Sequence, residues 1–217
     1  MNYHITEIFN SIEGEGRRAG QTATFIRLTG CNLRCTYCDT VYSYENGAIT
    51  SLGEIIETYK KAGIPRVTLT GGEPLAHQGV ETLIQTLLEQ GAEINIETNG
   101  SIDISYFEHI TTEKLFFTVD YKLPSSGTTD KMYLPNYAKL RRGDVIKFVV
   151  GSDEDLTHMI DFVKNLTSSP QIYIGTVFGK YDTKKIVSAM LEYNELKNTT
   201  MQIQLHKIIW HPEERGV

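Results

Sequence analysis

The sequence predicts an α/β fold, an open and partial (β/α)6-type barrel, carried by one domain over residues 1–217. Three observations lead there. Apolar, strand-like runs alternate with stretches of helical spacing, the pattern of a parallel sheet covered by helices. Polar residues and glycines gather just beyond the runs, at Cys31, Gly71 to Pro74, Glu97 to Gly100 and Asp120 to Ser126, and in such a fold those loops share one face. A closed eightfold barrel takes roughly 250 residues. Six units fit the 217 present.

The elements follow in order. Thr22 to Thr29 reads as the first strand and enters a cysteine-rich loop. Leu52 to Lys61 reads as a helix, with Ser51 as N-cap and Glu54 three residues on. Val67 to Thr70 is the second strand, ending in Gly71-Gly72. Gly79 to Glu89 has helical spacing through Val80, Leu83, Ile84, Leu87 and Leu88, with Gly91 as a stop. Ile94 to Glu97, Lys114 to Asp120, Asp144 to Val150 and Gln171 to Thr176 are the remaining strands. Glu154 to Leu166 and Lys184 to Leu196 are helices, and Thr200 to Leu205 suggests a late strand. Lys122 to Pro135 reads as a mobile loop.

Hydrophobic residues make up 40% of the chain and charged residues 22%, ordinary for a folded protein and wrong for a disordered one. A chain of this size buries about 70% of its surface, so it needs no staples. With 21 Lys and Arg against 27 Asp and Glu, the formal charge is −6. That excludes a general basic field for nucleic acid and leaves room for a local pocket that takes a small anion. No apolar run approaches the roughly 18 residues of a membrane span. The opening Met-Asn-Tyr-His-Ile-Thr-Glu has no basic-then-apolar leader, so the cytoplasm is the expected compartment.

All three cysteines lie in one loop, as Cys31-x3-Cys35-x2-Cys38. An odd, crowded set is a poor disulfide framework. A zinc site would need His77 or His206 as a fourth ligand, and neither has zinc-finger spacing. A [4Fe–4S] cluster takes four thiolates, so three from the protein leave one iron open. An open iron can take the amine and carboxylate of S-adenosylmethionine. One electron from the cluster can then cleave the sulfonium C–S bond, leaving a 5′-deoxyadenosyl radical that abstracts hydrogen. In that chemistry the protein aligns the reactants and excludes water. No protein residue is assigned as a catalytic acid or base.

The triad after the first strand, Tyr37 before the third cysteine and Gly71-Gly72-Glu73-Pro74 after the second strand resemble the radical S-adenosylmethionine superfamily. The resemblance implies a radical SAM core with family-specific terminal segments. It implies that Tyr37 shields cluster and adenine, and that the Gly72 edge, where a missing Cβ allows close approach, binds the methionine amine. Further motifs narrow the choice: Phe9-Asn-Ser-Ile-Glu-Gly-Glu-Gly16, Phe25-Ile-Arg27, Asp39-Thr40, and Gln204-Leu-His206-Lys with Arg215-Gly-Val217. Together, over nearly the whole chain, they resemble the 7-carboxy-7-deazaguanine synthases.

That resemblance implies a lyase acting in queuosine and related deazapurine biosynthesis. The reaction turns 6-carboxy-5,6,7,8-tetrahydropterin into 7-carboxy-7-deazaguanine with loss of ammonia. It also implies Mg²⁺, with the Thr40 hydroxyl as ligand, an external electron donor such as flavodoxin or ferredoxin, and a homodimer. Ile12, Glu13 and Gly14 match the strip that reads the pterin edge. The cationic fork of Arg27 suits a planar carboxylate, Thr70 at the end of the second strand faces the same mouth, and His206 resembles the family's late histidine near the substrate. Glu97 and Lys122 match cofactor positions, and Asp120, standing where a serine is common, can hydrogen-bond ribose hydroxyls instead. Two positions depart from the common pattern: Glu13 stands where glutamine is common, and Asp120-Tyr-Lys122 where many members have Ser-Pro-Lys.

Each residue also has a plainer reading. Thr40 can cap a turn, Arg27 can form a structural ion pair, Glu13 can be a surface acid and His206 can be packed. A glycyl-radical-enzyme activase shares size and triad, but needs a groove for a protein and no Mg²⁺. A non-catalytic metal-binding domain would not bind adenosylmethionine. The Glu13-Gly14, Arg27 and Thr40 set favours a small anionic substrate.

Overall fold

The computed structural model describes residues 1–110 and 112–217. Among the described residues nine strands form one sheet: β1 Asn2–Ile12, β2 Thr22–Leu28, β3 Ala48–Ser51, β4 Arg66–Gly71, β5 Glu93–Thr98, β6 Leu115–Asp120, β7 Val145–Val150, β8 Gln171–Thr176 and β9 Thr200–Met201. Their order is β3-β1-β2-β4-β5-β6-β7-β8-β9. From β2 to β9 every pairing is parallel, whereas β1 runs antiparallel to both β2 and β3. The sheet ends on two different strands, so the barrel is open.

Four longer helices cover one side of the sheet: α1 Leu52–Ala62, α2 Val80–Glu89, α4 Asp153–Lys164 and α5 Thr183–Glu192. The short α3 Pro135–Lys139 and α6 His206–Ile209 complete the set. α1 starts in a reciprocal cap: Ser51 Oγ accepts from Glu54 N at 3.3 Å, and Ser51 N donates to the Glu54 carboxylate at 2.8 Å. α2 buries Leu83, Ile84 and Leu87 completely, as its spacing requires.

The strands are less uniformly apolar than the sequence suggests. Val67 and Leu69, Ile94 and Ile96, and Ile146 and Phe148 are fully buried in the hydrophobic core. Their alternates Thr68 and Thr70, Asn95 and Glu97, and Lys147 and Val149 point the other way, because successive side chains take opposite faces. One face packs against helices; the other forms a polar barrel interior.

Several expectations need correction. β1 is an unforeseen strand. Its buried residues begin as a clean alternation, Tyr3 and Ile5, but the register shifts between Ile5 and Glu7, and the bulge breaks the period that marks a strand. β3 is short and largely exposed, with no apolar signal. The late strand contains only Thr200–Met201; Gln202 still donates its backbone N–H to Ile174 O of β8 at 2.9 Å, while its side chain accepts from Gly16 N in the N-terminal loop. The last long helix stops at Glu192 and resumes as a 3-10 turn at Asn194–Leu196. The regular strand–helix repeat also lapses. A 3-10 turn, Ile104–Phe107, is the named element between β5 and β6. The Lys122 to Pro135 segment is a packed wall: Leu123 and Ser126 are fully buried, and two 3-10 turns shape it.

Candidate active site

The C-terminal ends of the parallel strands open on a cleft of about 760 Å³, within the range of small-molecule sites. Ile12, Glu13, Gly14, Arg27, Thr70 and His206 line it together with Cys31, Cys35, Cys38, Thr40, Gly72, Glu97, Asp120 and Lys122. Positions separated by up to nearly the whole chain therefore share one wall system. A second cavity, about 450 Å³, lies between α3 and α4 over Tyr137 and Phe162 and holds none of them.

The three cysteines are unpaired and half-buried. Leu33 N donates to Cys31 Sγ at 3.4 Å, and burial pushes the Cys31 thiol up from its ordinary value. Among the described residues no three His, Cys, Asp or Glu side chains converge on one point as a single ion requires. A cubane cluster makes no such demand, since each thiolate takes its own iron. Three free thiols on one loop, facing a roomy cleft, fit that group.

Gly72 explains the approach of this loop to the sheet. A Cβ there would lie 2.1 Å from Gly30 O and 2.7 Å from Cys31 Cβ. The close approach that demands glycine is to the protein's own cysteine loop. Glu73, fully buried, accepts from Thr98 Oγ1 at 2.8 Å, Asn99 N at 2.7 Å and Leu75 N at 3.0 Å. Its backbone N–H donates to Gly30 O at 2.8 Å. It ties the β4 and β5 ends to the cysteine loop, and burial lifts its carboxyl to about 7.

Asp120, at the end of β6, sits between two lysines. Lys122 Nζ donates to Oδ2 at 2.6 Å, and Lys147 Nζ lies 3.3 Å from Oδ1. Burial raises its carboxyl, but the two ammoniums outweigh that and hold it low. Oδ1 is buried and has no hydrogen bond, despite the nearby charge. An acceptor of that kind suits a ligand hydroxyl. Lys147 also reaches Glu15 at 3.5 Å.

Glu13 is turned inward. It is 2% exposed, accepts from Thr68 Oγ1 at 2.5 Å and from Asn95 Nδ2 at 3.2 Å, and lies 3.9 Å from Arg18. It is therefore no surface acid. Burial, reinforced by nearby Glu97, lifts it to about 7. Arg27 Nε donates to Glu7 at 2.7 Å, and Tyr42 OH donates to the same oxygen at 2.9 Å. The ion pair and the cleft position coexist, because Glu7 takes one edge of the guanidinium. Thr70 Oγ1 donates to Glu97 at 3.2 Å.

Thr40 Oγ1 donates to Asp39 Oδ1 at 2.8 Å, and Lys207 Nζ donates to Asp39 Oδ2 at 2.8 Å. The Lys207 ammonium and the Thr40 hydroxyl beside Asp39 hold its carboxyl down at about 2. The Thr40 oxygen keeps its lone pairs for a hard cation. His206 stands on Gly14, where a Cβ would lie 2.2 Å from its Nδ1, and burial lowers its basicity. Leu205 N donates to Gly14 O at 3.1 Å, and Gly16 N donates to Gln202 Oε1 at 2.7 Å. These bonds join the first loop to the C-terminal segment.

The sequence reading missed Lys147, Glu15, Glu7 and Lys207. Lys147 carried a signal, a lone cation inside the apolar run Val-Ile-Lys-Phe-Val-Val. The others are recognisable only through their partners.

Residues 25–120 match the Radical SAM superfamily. With the cysteine loop placed after the first parallel strand, this makes the chain a radical S-adenosylmethionine enzyme, a class that uses a [4Fe–4S] cluster and S-adenosylmethionine. A 7-carboxy-7-deazaguanine synthase of Clostridium acetobutylicum is 44% identical, with 100% of both chains covered. One of Thermoplasma acidophilum is 35% identical over 95% of this chain and 96% of that protein. The chain belongs to the 7-carboxy-7-deazaguanine synthase family. Its fold matches QueE from Escherichia coli with a TM-score of 0.75, at 23% identity and 94% coverage of each chain. Streptococcus suis SuiB shares the fold more distantly, with a TM-score of 0.63 at 14% identity, over 83% of this chain and 48% of that one.

Proposed function

We propose that this chain, acting as one unit over residues 1–217, is a carbon–nitrogen lyase. It converts 6-carboxy-5,6,7,8-tetrahydropterin to 7-carboxy-7-deazaguanine with release of ammonia, within queuosine and related deazapurine synthesis. The observation that carries this reading is the 44% identity to a 7-carboxy-7-deazaguanine synthase from end to end. The conversion removes ammonia and no net electrons, so adenosylmethionine is returned after each turnover.

When bound, cluster and adenosylmethionine supply a radical that abstracts hydrogen from a carbon no side chain here could deprotonate. The chain's residues do the rest. Cys31, Cys35 and Cys38 hold the cluster. The Gly72 edge, Glu97, Asp120 and Lys122 hold adenosylmethionine, with Asp120 Oδ1, which accepts no hydrogen bond beside Lys147, suited to a ribose hydroxyl. Arg27, kept in place by Glu7, offers its outer edge to the substrate carboxylate. Ile12, Glu13 and Gly14 read the pterin rim, Thr70 and His206 flank it, and Thr40 offers an oxygen to Mg²⁺ beside the substrate. Asp39, ionised at any working pH, adds negative charge there.

An external one-electron donor such as flavodoxin or ferredoxin reduces the cluster. The homodimer is supported by exposed apolar side chains at Ile203, Ile208 and Ile209, beyond the β9 edge. Three unpaired thiols suit a reducing cytoplasm. No described helix is long and apolar enough to cross a membrane. The test is anaerobic. Reconstituted protein receives reductant, adenosylmethionine, Mg²⁺ and the carboxypterin, and the deazaguanine product is sought by mass. Cys35→Ala should abolish the product, and Thr40→Ala should change the Mg²⁺ dependence. Turnover by the Cys35→Ala variant would refute the mechanism.

A further inference from the structure

Two side chains outside the cysteine loop aim donors at its sulfurs. Thr128 Oγ1, in the wall after β6, lies 3.4 Å from Cys35 Sγ. The direction of this bond follows from its neighbours. Ser126 Oγ accepts from Thr128 N at 3.1 Å and lies 3.1 Å from Thr128 Oγ1. With the Ser126 proton on Thr128 Oγ1, the Thr128 proton is free for sulfur. A metal-bound thiolate has none to give, so Thr128 is the donor.

Asn99, after β5, is the second. Its Oδ1 accepts from Ser101 N at 3.0 Å and Ser101 Oγ at 2.6 Å, which fixes the amide. Nδ2 is then left facing Asn32 Oδ1 at 3.0 Å and Cys31 Sγ at 3.8 Å, a reach that only sulfur permits.

Thr128 is held in position from two sides. Thr36 N donates to Ser126 O at 3.0 Å and Thr36 Oγ1 to Ser125 O at 2.6 Å, binding the wall to the cysteine loop. Buried Asp155 accepts from Ser125 N at 2.8 Å and from Gly151 N at 2.7 Å, binding it to α4. Gly127, at a φ of 71°, makes the turn that brings Thr128 back to Cys35.

We propose that Thr128 and Asn99 set the one-electron reduction potential of the cluster held by Cys31, Cys35 and Cys38. The inference rests on the [4Fe–4S] reading of the triad. Reduction adds one electron, the external donor loses one, and no proton or group moves. Part of the added charge resides on the cysteine sulfurs. A donor there favours the reduced form over the oxidised form and raises the potential. Both donors are buried, where such bonds are strongest.

The experiment uses full-length, anaerobically reconstituted protein in an EPR-monitored redox titration without adenosylmethionine. Thr128→Val removes the hydroxyl at nearly constant volume. It should keep its iron and move to a more negative midpoint, with the reduction equilibrium weakened by up to about tenfold, or about 59 mV for one electron. Thr128→Ser should restore the parent value. Asn99→Ala should shift the midpoint in the same direction, and the double variant should shift by about the sum. An unchanged midpoint in iron-replete Thr128→Val, or a shift that serine does not reverse, overturns the role of Thr128. Failure of Thr128→Val to take up iron also overturns it, since the residue then holds the cluster; Asn99→Ala decides the other donor on its own. Absence of a reduced-cluster signal in the parent protein instead sinks the cluster reading itself.

Discussion

Replacing Gly72 with alanine should push the cysteine loop off the sheet. The added Cβ would lie 2.1 Å from Gly30 O, 2.4 Å from Gly30 C and 2.7 Å from Cys31 Cβ, where ordinary contact begins at 3.4 Å. Gly30 offers only backbone atoms, which cannot rotate aside, so the two segments must part by more than an ångström. That stretches the bond from Glu73 N to Gly30 O, now 2.8 Å. Overpacking of this kind costs about 1–3 kcal/mol, and the lost bond adds about 1 kcal/mol. The displaced residue is next to Cys31, so the first casualty should be cluster binding. Iron and sulfide per chain after anaerobic reconstitution, with far-ultraviolet circular dichroism as the folding check, measure it. Gly53→Ala is the control, because its nearest neighbour is 4.0 Å away. A Gly72→Ala protein with full iron and only weakened adenosylmethionine binding would refute the reasoning, since the glycine would then serve the ligand and not the loop.

Three other perturbations follow from the same geometry. Glu13 is lifted from 4.5 to about 7, so the folded protein binds a proton that the unfolded chain releases between those values. Its contribution is full below the lower value and lost as pH rises through the upper one, a penalty of at most about 3 kcal/mol at pH 8. Glu13→Gln should raise the urea midpoint at about pH 8 and leave it unchanged near pH 4.5; equal effects at both pH values reject the assignment. Lys147→Met leaves Glu15 without its cation and Asp120 with Lys122 alone, and should cost about 1–3 kcal/mol, with partial recovery on adding Asp120→Asn. A loss below about 1 kcal/mol, measured by urea unfolding, counts against that pairing. Arg27→Ala should raise KM for the pterin by about ten- to a hundredfold with iron content unchanged, the loss of about 1–3 kcal/mol in a charged hydrogen bond. An unchanged KM leaves Arg27 as a partner of Glu7 alone.

The parallel strands were legible because β2, β4, β5, β6, β7 and β8 each carry a short apolar run bounded by turn residues. β1 was not, because its bulge shifts the hydrophobic phase midway. The wall after β6 looked like an open loop for a related reason. Its order comes from Asp155 and Thr36, which reach it from distant parts of the chain, and no local pattern records such bonds. The site divides the same way. Cysteine spacing and the Gly-Gly-Glu-Pro turn are local and were readable. The inward turn of Glu13 onto Thr68 and Asn95 depends on strand pairing across the barrel. So does the partnership of Lys147 with Asp120, which stand side by side in neighbouring strands.

The bonds from Gly14 and Gly16 to Leu205 and Gln202 have a bearing on how the protein is made. A ribosome that has added residue 200 has already produced every described strand except the end of β9, yet none of the C-terminal residues that line the cleft. The hairpin loop made among the first twenty residues waits through almost the entire translation for the segment that will seal it. The wall of the cleft that holds His206, Lys207 and Pro212 to Val217 is therefore the last part of the site to be made.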